Sequence, residues 1–158
     1  MDSNSEARLA EVHPELSRRI HQLADMLSFP LVVTQGLRTY SQQAQLYAHG
    51  RTDPGPIVTN AKPEQSGHVF LYACDVAPTD GFQIDWNGKD AKWMEILNKA
   101  HSCGLAEGAQ WRTFPDEPHL YLQELPATPD DEMVQAIREG GLDSVRALID
   151  ERLVKATS

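Results

Sequence analysis

Two short stretches of the chain hold residue types that could do chemistry together. They are Ser66-Gly67-His68 running on to Ala73-Cys74-Asp75, and Asp116-Glu117-Pro118-His119. Two imidazoles and one carboxylate, with a second carboxylate nearby, are what a catalytic zinc centre needs. Three protein ligands leave a fourth tetrahedral position for water, and the extra carboxylate can take that water's proton. His68 and His119 each border an apolar strand and have carboxylates close in sequence, so they are the candidate ligands, with Asp75 and Asp116 in step. His13, His21, His49 and His101 sit in or beside helical patterns with no acid at ligand spacing. These read as surface or ordinary packing residues.

The spacing constrains the elements that must carry this group. His68 lies an odd number of residues before Asp75, so one flat strand could not aim both at a common point. A bend between them is required. Asp116 and His119 have the same odd offset, and Pro118 interrupts any ladder there. Residues 69–76 and 119–125 read as strands, with Leu120 and Leu122 facing the core and Tyr121 and Gln123 on the face of His119. A further strand is expected at 29–34, and a short one at 82–86 between the turn dipeptides Asp80-Gly81 and Asn87-Gly88. Leu16, Ile20, Leu23, Ala24 and Leu27 recur at helical spacing, with Pro14 in the first turn. Ser41 reads as the N-cap of a helix ended by Gly50. Trp93, Ile96, Leu97 and Ala100 face inward from a helix over 92–103 that Gly104 stops. Residues 51–67, rich in Pro and Gly, read as a long loop with a functional role. The first residues, to about Glu11, are polar and read as mobile.

After Pro126 the pattern becomes two helices separated by Gly140-Gly141, with Thr128 as the expected N-cap and Pro129 at the first helical position. The stretch 133–153 is similar to one ankyrin-type helix pair. Such a pair cannot bury its own apolar face. It must pack on its own domain, on a second copy of the chain as a homodimer, or on a partner protein. The reading is therefore a domain over 1–125 and a helical hairpin appendage over 126–158.

Composition narrows the function class. At 158 residues, 41% hydrophobic and 23% charged, the chain is an ordinary globular size and make-up. A net charge of −9 disfavours nucleic acid, and Arg18-Arg19, the adjacent basic pair, reads as a solvated helix face. No apolar run is long enough for membrane insertion. The opening thirty residues lack a basic start followed by an apolar stretch, so no secretory signal is expected and synthesis in the cytoplasm is. Cys74 and Cys103 read as buried free thiols.

The ordered motifs resemble the zinc peptidoglycan peptidases of the D-Ala-D-Ala carboxypeptidase (VanY-like) family, in the Hedgehog/DD-peptidase fold group. Their signature, Ser-x-His, then Ala-x-Asp, then acid-x-x-His, stands here in the two stretches above. The chain is most similar to the L-alanyl-D-glutamate endopeptidase branch common among phage endolysins. The matching residues include Gly36-Leu37-Arg38-Thr39, Gln45-Leu46-Tyr47, Gly50-Arg51-Thr52, Pro54-Gly55, Val58-Thr59, Gly104-Leu105, Gly108, Trp111 and Phe114. The likeness covers about residues 14–125.

The resemblance implies an α+β fold, a small antiparallel sheet with helices packed around it. It implies zinc held by His68, Asp75 and His119, with Asp116 as general base and Arg38 facing substrate and stabilising the developing oxyanion. Ser66 and Gln45 match positions near the bound peptide. The chain departs from the family at Leu71 and Ala109, where glycine is usual. The activity implied is hydrolysis of a peptide bond in the peptidoglycan stem peptide, acting on the cell wall after release. The alternatives are a D-alanyl-D-alanine carboxypeptidase, or a non-catalytic zinc-binding module on the same fold.

Overall fold

Where backbone hydrogen bonds go decides how this chain builds its sheet. In the computed structural model, which describes residues 1–87, 91–108 and 119–158, four strands pair antiparallel: β1 (Leu31–Gln35), β2 (Ala73–Pro78), β3 (Leu105–Glu107) and β4 (His119–Leu122). Their spatial order is β1-β2-β4-β3, so β2 and β4 are central. Every residue of β2 is buried, which fits its run of small and β-branched side chains. The alternation in β4 puts Leu120 and Leu122 into the core and leaves His119 and Tyr121 on the opposite face. The three-residue β3 has no counterpart among the expected strands, because it is too short to show a period of its own.

Among the described residues, five α-helices accompany the sheet: α1 (Ser3–Glu11), α2 (Pro14–Met26), α3 (Tyr40–Ala48), α4 (Ala91–Ser102) and α5 (Asp131–Ala156). The fold is α+β, as expected. The opening residues are helical rather than mobile. Asp2 caps α1 by accepting from the Ser5 amide, and Leu9 is buried. Ser5 Oγ accepts from the Val33 amide and Arg8 donates to the Val33 carbonyl, so α1 satisfies the free edge of β1. A polar helix used as an edge cover has little hydrophobic signal to announce it.

Other boundaries also moved. Thr39, not Ser41, caps α3, through a capping box with Gln42. Asp130, not Thr128, caps α5, accepting from the Met133 amide. Residues 69–71 are turn rather than strand, and Phe82 is almost fully exposed, with only a single bridge between Thr79 and Ile84 where a strand was expected. Arg19 does not lie on a solvated face. It is buried and donates to Glu124, Glu15 and the Gly104 carbonyl, while Arg18 is exposed. Both cysteines are buried and free, as expected.

α5 is two helices broken at Gly141, whose φ of 66° and ψ of −155° are non-helical. Met133, Val145 and Ile149 join the same buried cluster as Leu16, Ile20 and Leu120. The Tyr72 hydroxyl donates to the Pro126 carbonyl, and Arg138 pairs with Glu64 at 2.6 Å. The apolar face of the hairpin therefore packs on its own chain. Among the described residues no helix is long and apolar enough to cross a membrane.

Candidate active site

Three elements deliver the three candidate ligands. The β2–β4 register sets Asp75 directly opposite His119, so both side chains stand on one face of the sheet. His68 arrives from a pair of tight turns, in which the Val69 amide donates to the Ser66 carbonyl and the Phe70 amide to the Gly67 carbonyl. That is the bend which the odd spacing to Asp75 required. Gly67 is needed for it: a Cβ there would lie 2.9 Å from the Ala73 Cβ and 3.0 Å from Tyr72 Cε2. Leu71 closes the turn with φ of 68°, the left-handed region where glycine is the easy choice. At Leu71, where the resemblance leads to an expectation of glycine, the leucine thus keeps a glycine-like backbone.

The resulting triangle is tight. His68 Nε2 lies 3.2 Å from Asp75 Oδ1 and 3.0 Å from His119 Nδ1, and His119 Nδ1 lies 3.0 Å from Asp75 Oδ1. His68 Nδ1 faces the Gly36 carbonyl at 2.8 Å, which only accepts, so that nitrogen carries the ring proton and Nε2 presents a lone pair. Burial pushes the His68 imidazole below its usual value, toward the neutral form that binds metal. Burial alone would raise the Asp75 carboxyl, but the two imidazoles that face it outweigh burial and keep it below the usual carboxylate range, so Asp75 is ionised. An ionised Asp75 and a bare Nε2 leave one proton at most, on His119 Nδ1, for three contacts. A cation satisfies all three at once.

The spacing also fits one. A tetrahedral ion with bonds of about 2.0–2.1 Å sets its ligand atoms roughly 3.3 Å apart, close to the distances found. His68, Asp75 and His119 therefore form a group that could hold a divalent metal.

Arg38 links two members of the group. Its amide donates to the His68 carbonyl at 3.2 Å, and Nη2 donates to Asp75 Oδ2 at 3.0 Å. Ser66 is buried at the start of the turn, beside His68 in sequence. Gln45 is exposed on α3 and is not brought to this group. Gln43 is instead, fully buried and accepting from Arg38 Nη1 at 3.2 Å. A signal for it existed: Gln43 lies three and four residues before Leu46 and Tyr47, so helical phase turns it to their side and Gln45 away. Asp116, with Trp111, Phe114 and Ala109, lies outside the described residues.

The sequence matches the family described as phage L-alanyl-D-glutamate peptidase over residues 1–121. The chain belongs to that family. It is 34% identical over 126 residues to the peptidoglycan L-alanyl-D-glutamate endopeptidase CwlK of Bacillus subtilis (strain 168), spanning 72% of this chain and 74% of that protein. It is 32% identical over 118 residues to the L-alanyl-D-glutamate peptidase of Escherichia phage T5, spanning 72% and 82% of the two. The crystal structure of the Serratia marcescens L-Ala D-Glu endopeptidase ChiX superimposes with a TM-score of 0.62 at 23% identity, covering 77% of this chain and 88% of that one. That likeness concerns the fold. The family match ends at residue 121, so the helices after Pro126 lie beyond it.

Proposed function

We propose that this peptidase is a zinc-dependent L-alanyl-D-glutamate endopeptidase of the peptidoglycan stem peptide. The observation that carries the reading is the triangle of His68, Asp75 and His119, which has too few protons for its own contacts. The names of the relatives support the bond, and favour it over the terminal D-Ala cut of a carboxypeptidase. The wall is then the place of action. Residues 1–125 would form the peptidase unit and 126–158 an appendage packed on it.

In this reading His68, Asp75 and His119 hold the zinc, which when bound supplies Lewis acidity at the scissile carbonyl. Asp116, three residues before His119 in the acid-x-x-His motif, takes a proton from the attacking water and passes it to the departing amine. Arg38 holds a fixed positive charge beside the group, each terminal nitrogen keeping a second N–H beyond its bonds to Gln43 and Asp75. A positioned donor facing a developing oxyanion is worth roughly 3 kcal/mol. Ser66 and Gln45 are assigned to the peptide side by the family motif. A purely structural metal site would call for neither Asp116 nor Arg38.

Digestion of purified peptidoglycan followed by mass spectrometry tests the bond. New amino termini on D-glutamate are expected, and free D-Ala would replace this reading with the carboxypeptidase. Asp116→Ala should keep zinc and lose hydrolysis by about 10²–10⁴-fold. His119→Ala should lose both, and zinc content unchanged in that variant would overturn the ligand assignment.

A further inference from the structure

Gln43 is a fully buried amide whose two ends are both spoken for. Its Oε1 accepts from Arg38 Nη1 at 3.2 Å, and its Nε2 donates to the Ala61 carbonyl at 2.9 Å. Neither role can be exchanged. A guanidinium only donates and a carbonyl only accepts, so a flipped amide would lose both bonds. The same guanidinium donates from Nη2 to Asp75 Oδ2, leaving Oδ1 for His68 and His119. A chain of contacts therefore runs from the Ala61 carbonyl through Gln43 and Arg38 to the carboxylate of the candidate ligand set. Among the described residues, Arg38 Nε is itself buried without a partner. The guanidinium is thus fixed through its two terminal nitrogens, and Gln43 holds one of them.

α3 places Gln43 for this. The capping box at Thr39 starts the helix immediately after Arg38, and the Gln43 amide donates to the Thr39 carbonyl at 3.0 Å. The side chain then points back at the arginine five residues earlier. A glutamine this buried, on a short helix with little apolar surface, has no packing reason to be polar. Leucine or methionine would fill the volume without the cost of burying an amide.

We infer that Gln43 is a positioning residue for the metal group: it aims Arg38 at the outer oxygen of Asp75, and so orients the inner oxygen toward the two imidazoles. The inference rests on the metal reading above. Partners one shell beyond a ligand typically change metal affinity about 10–100-fold when lost, and Gln43 acts one step further out.

Two variants separate positioning from packing. Gln43→Met removes both bonds at similar length; Gln43→Glu keeps an oxygen for Arg38, now charged, and loses the bond to Ala61. Zinc affinity is measured by titration against a competing chelator, with thermal melting alongside. Gln43→Met should bind zinc about 10-fold more weakly, while Gln43→Glu binds as the wild type does, although both melt earlier. In an Arg38→Ala background Gln43→Met should add no further loss. If Gln43→Met does not fold, Gln43→Asn, too short to span both partners, takes its place and should weaken zinc in the same way. Equal zinc affinity in wild type and Gln43→Met, or equal loss in Gln43→Met and Gln43→Glu, overturns the inference. Wild-type protein that takes up no zinc overturns the metal reading instead.

Discussion

The imidazole of His119 occupies the space that a side chain at Gly108 would need. A Cβ at Gly108 would overlap His119 Cδ2 and lie 3.1 Å from Cγ, while the Gly108 amide donates to the His119 carbonyl at 2.7 Å. The backbone bond brings the two residues together, and the missing methyl lets the ring reach Asp75 and His68. Gly108→Ala should therefore fold, because the sheet bond survives, yet push the ring out of the triangle. Zinc affinity should fall at least about 10-fold, in line with other changes that disturb ligand orientation. Chelator competition on the variant checks this; unaltered affinity would show that the ring has another position from which to bind.

At Leu71 two effects of opposite sign compete, and their sizes decide the outcome. The left-handed φ of 68° costs about 1–2 kcal/mol relative to glycine. The side chain is buried, and truncating a buried leucine costs about 2–5 kcal/mol. Leu71→Gly should thus destabilise the protein, although it relieves the backbone. Leu71→Ala keeps the strain and loses the side chain, so it should be worse than Leu71→Gly by about 1 kcal/mol. Glycine beating alanine reverses the ordinary order in a helix or strand. Urea denaturation of the two variants measures the order directly.

The metal group and the turn that carries it differ in how far sequence reveals them. His68, Asp75 and His119 were legible because ligand chemistry restricts residue type, and the odd spacing from His68 to Asp75 forced a bend. What the pattern could not say is which backbone makes the bend, and a leucine at a positive φ gives no sequence signal at all. α2 and α4 followed from apolar periodicity, since Leu16, Ile20 and Leu23, like Trp93, Ile96 and Ala100, are buried. α1 did not, because its task is to pair polar groups with the edge of β1 through Ser5 and Arg8. Arg19 departs from its expected exposed face for a related reason: its partner Glu124 is far away in sequence, and charge patterning within a helix cannot show a distant acid.

That distant acid makes neighbouring arginines unequal. Arg19 binds Glu124 with two nitrogens, at 2.8 Å and 2.9 Å, and Glu15 with a third at 2.8 Å. The Arg19 side chain is 10% exposed and that of Arg18 is 60% exposed. Removing one member of a buried pair leaves the other charge stranded and costs about 3–5 kcal/mol, whereas an exposed pair is worth about 0–1 kcal/mol. Arg19→Ala should fall near the lower end of the first range, because Glu124 keeps some solvent. Arg18→Ala should stay within the second. Guanidinium melts of the two variants would contradict this if they were displaced equally.

His13 ties the helical tail to α2 in a pH-dependent way. It is buried at the N-cap, its Nδ1 accepts from the Glu15 amide at 3.2 Å, and its Nε2 donates to Asp150 at 3.2 Å. Burial lowers its pKa; the charge of Asp150 pulls the other way without cancelling it. The folded state therefore holds His13 neutral where the unfolded chain, titrating near 6.5, takes up a proton. With more protons on the unfolded side, stability rises with pH through this window. The contribution is present above about pH 6.5 and is lost as the pH falls through the lower, folded value. His13→Asn keeps a capping oxygen and cannot titrate. With chelator present in both samples, the difference in unfolding free energy between wild type and His13→Asn should favour wild type most at pH 8 and shrink steadily toward pH 5. Parallel stability profiles would mean that His13 titrates in the fold as it does in the open chain.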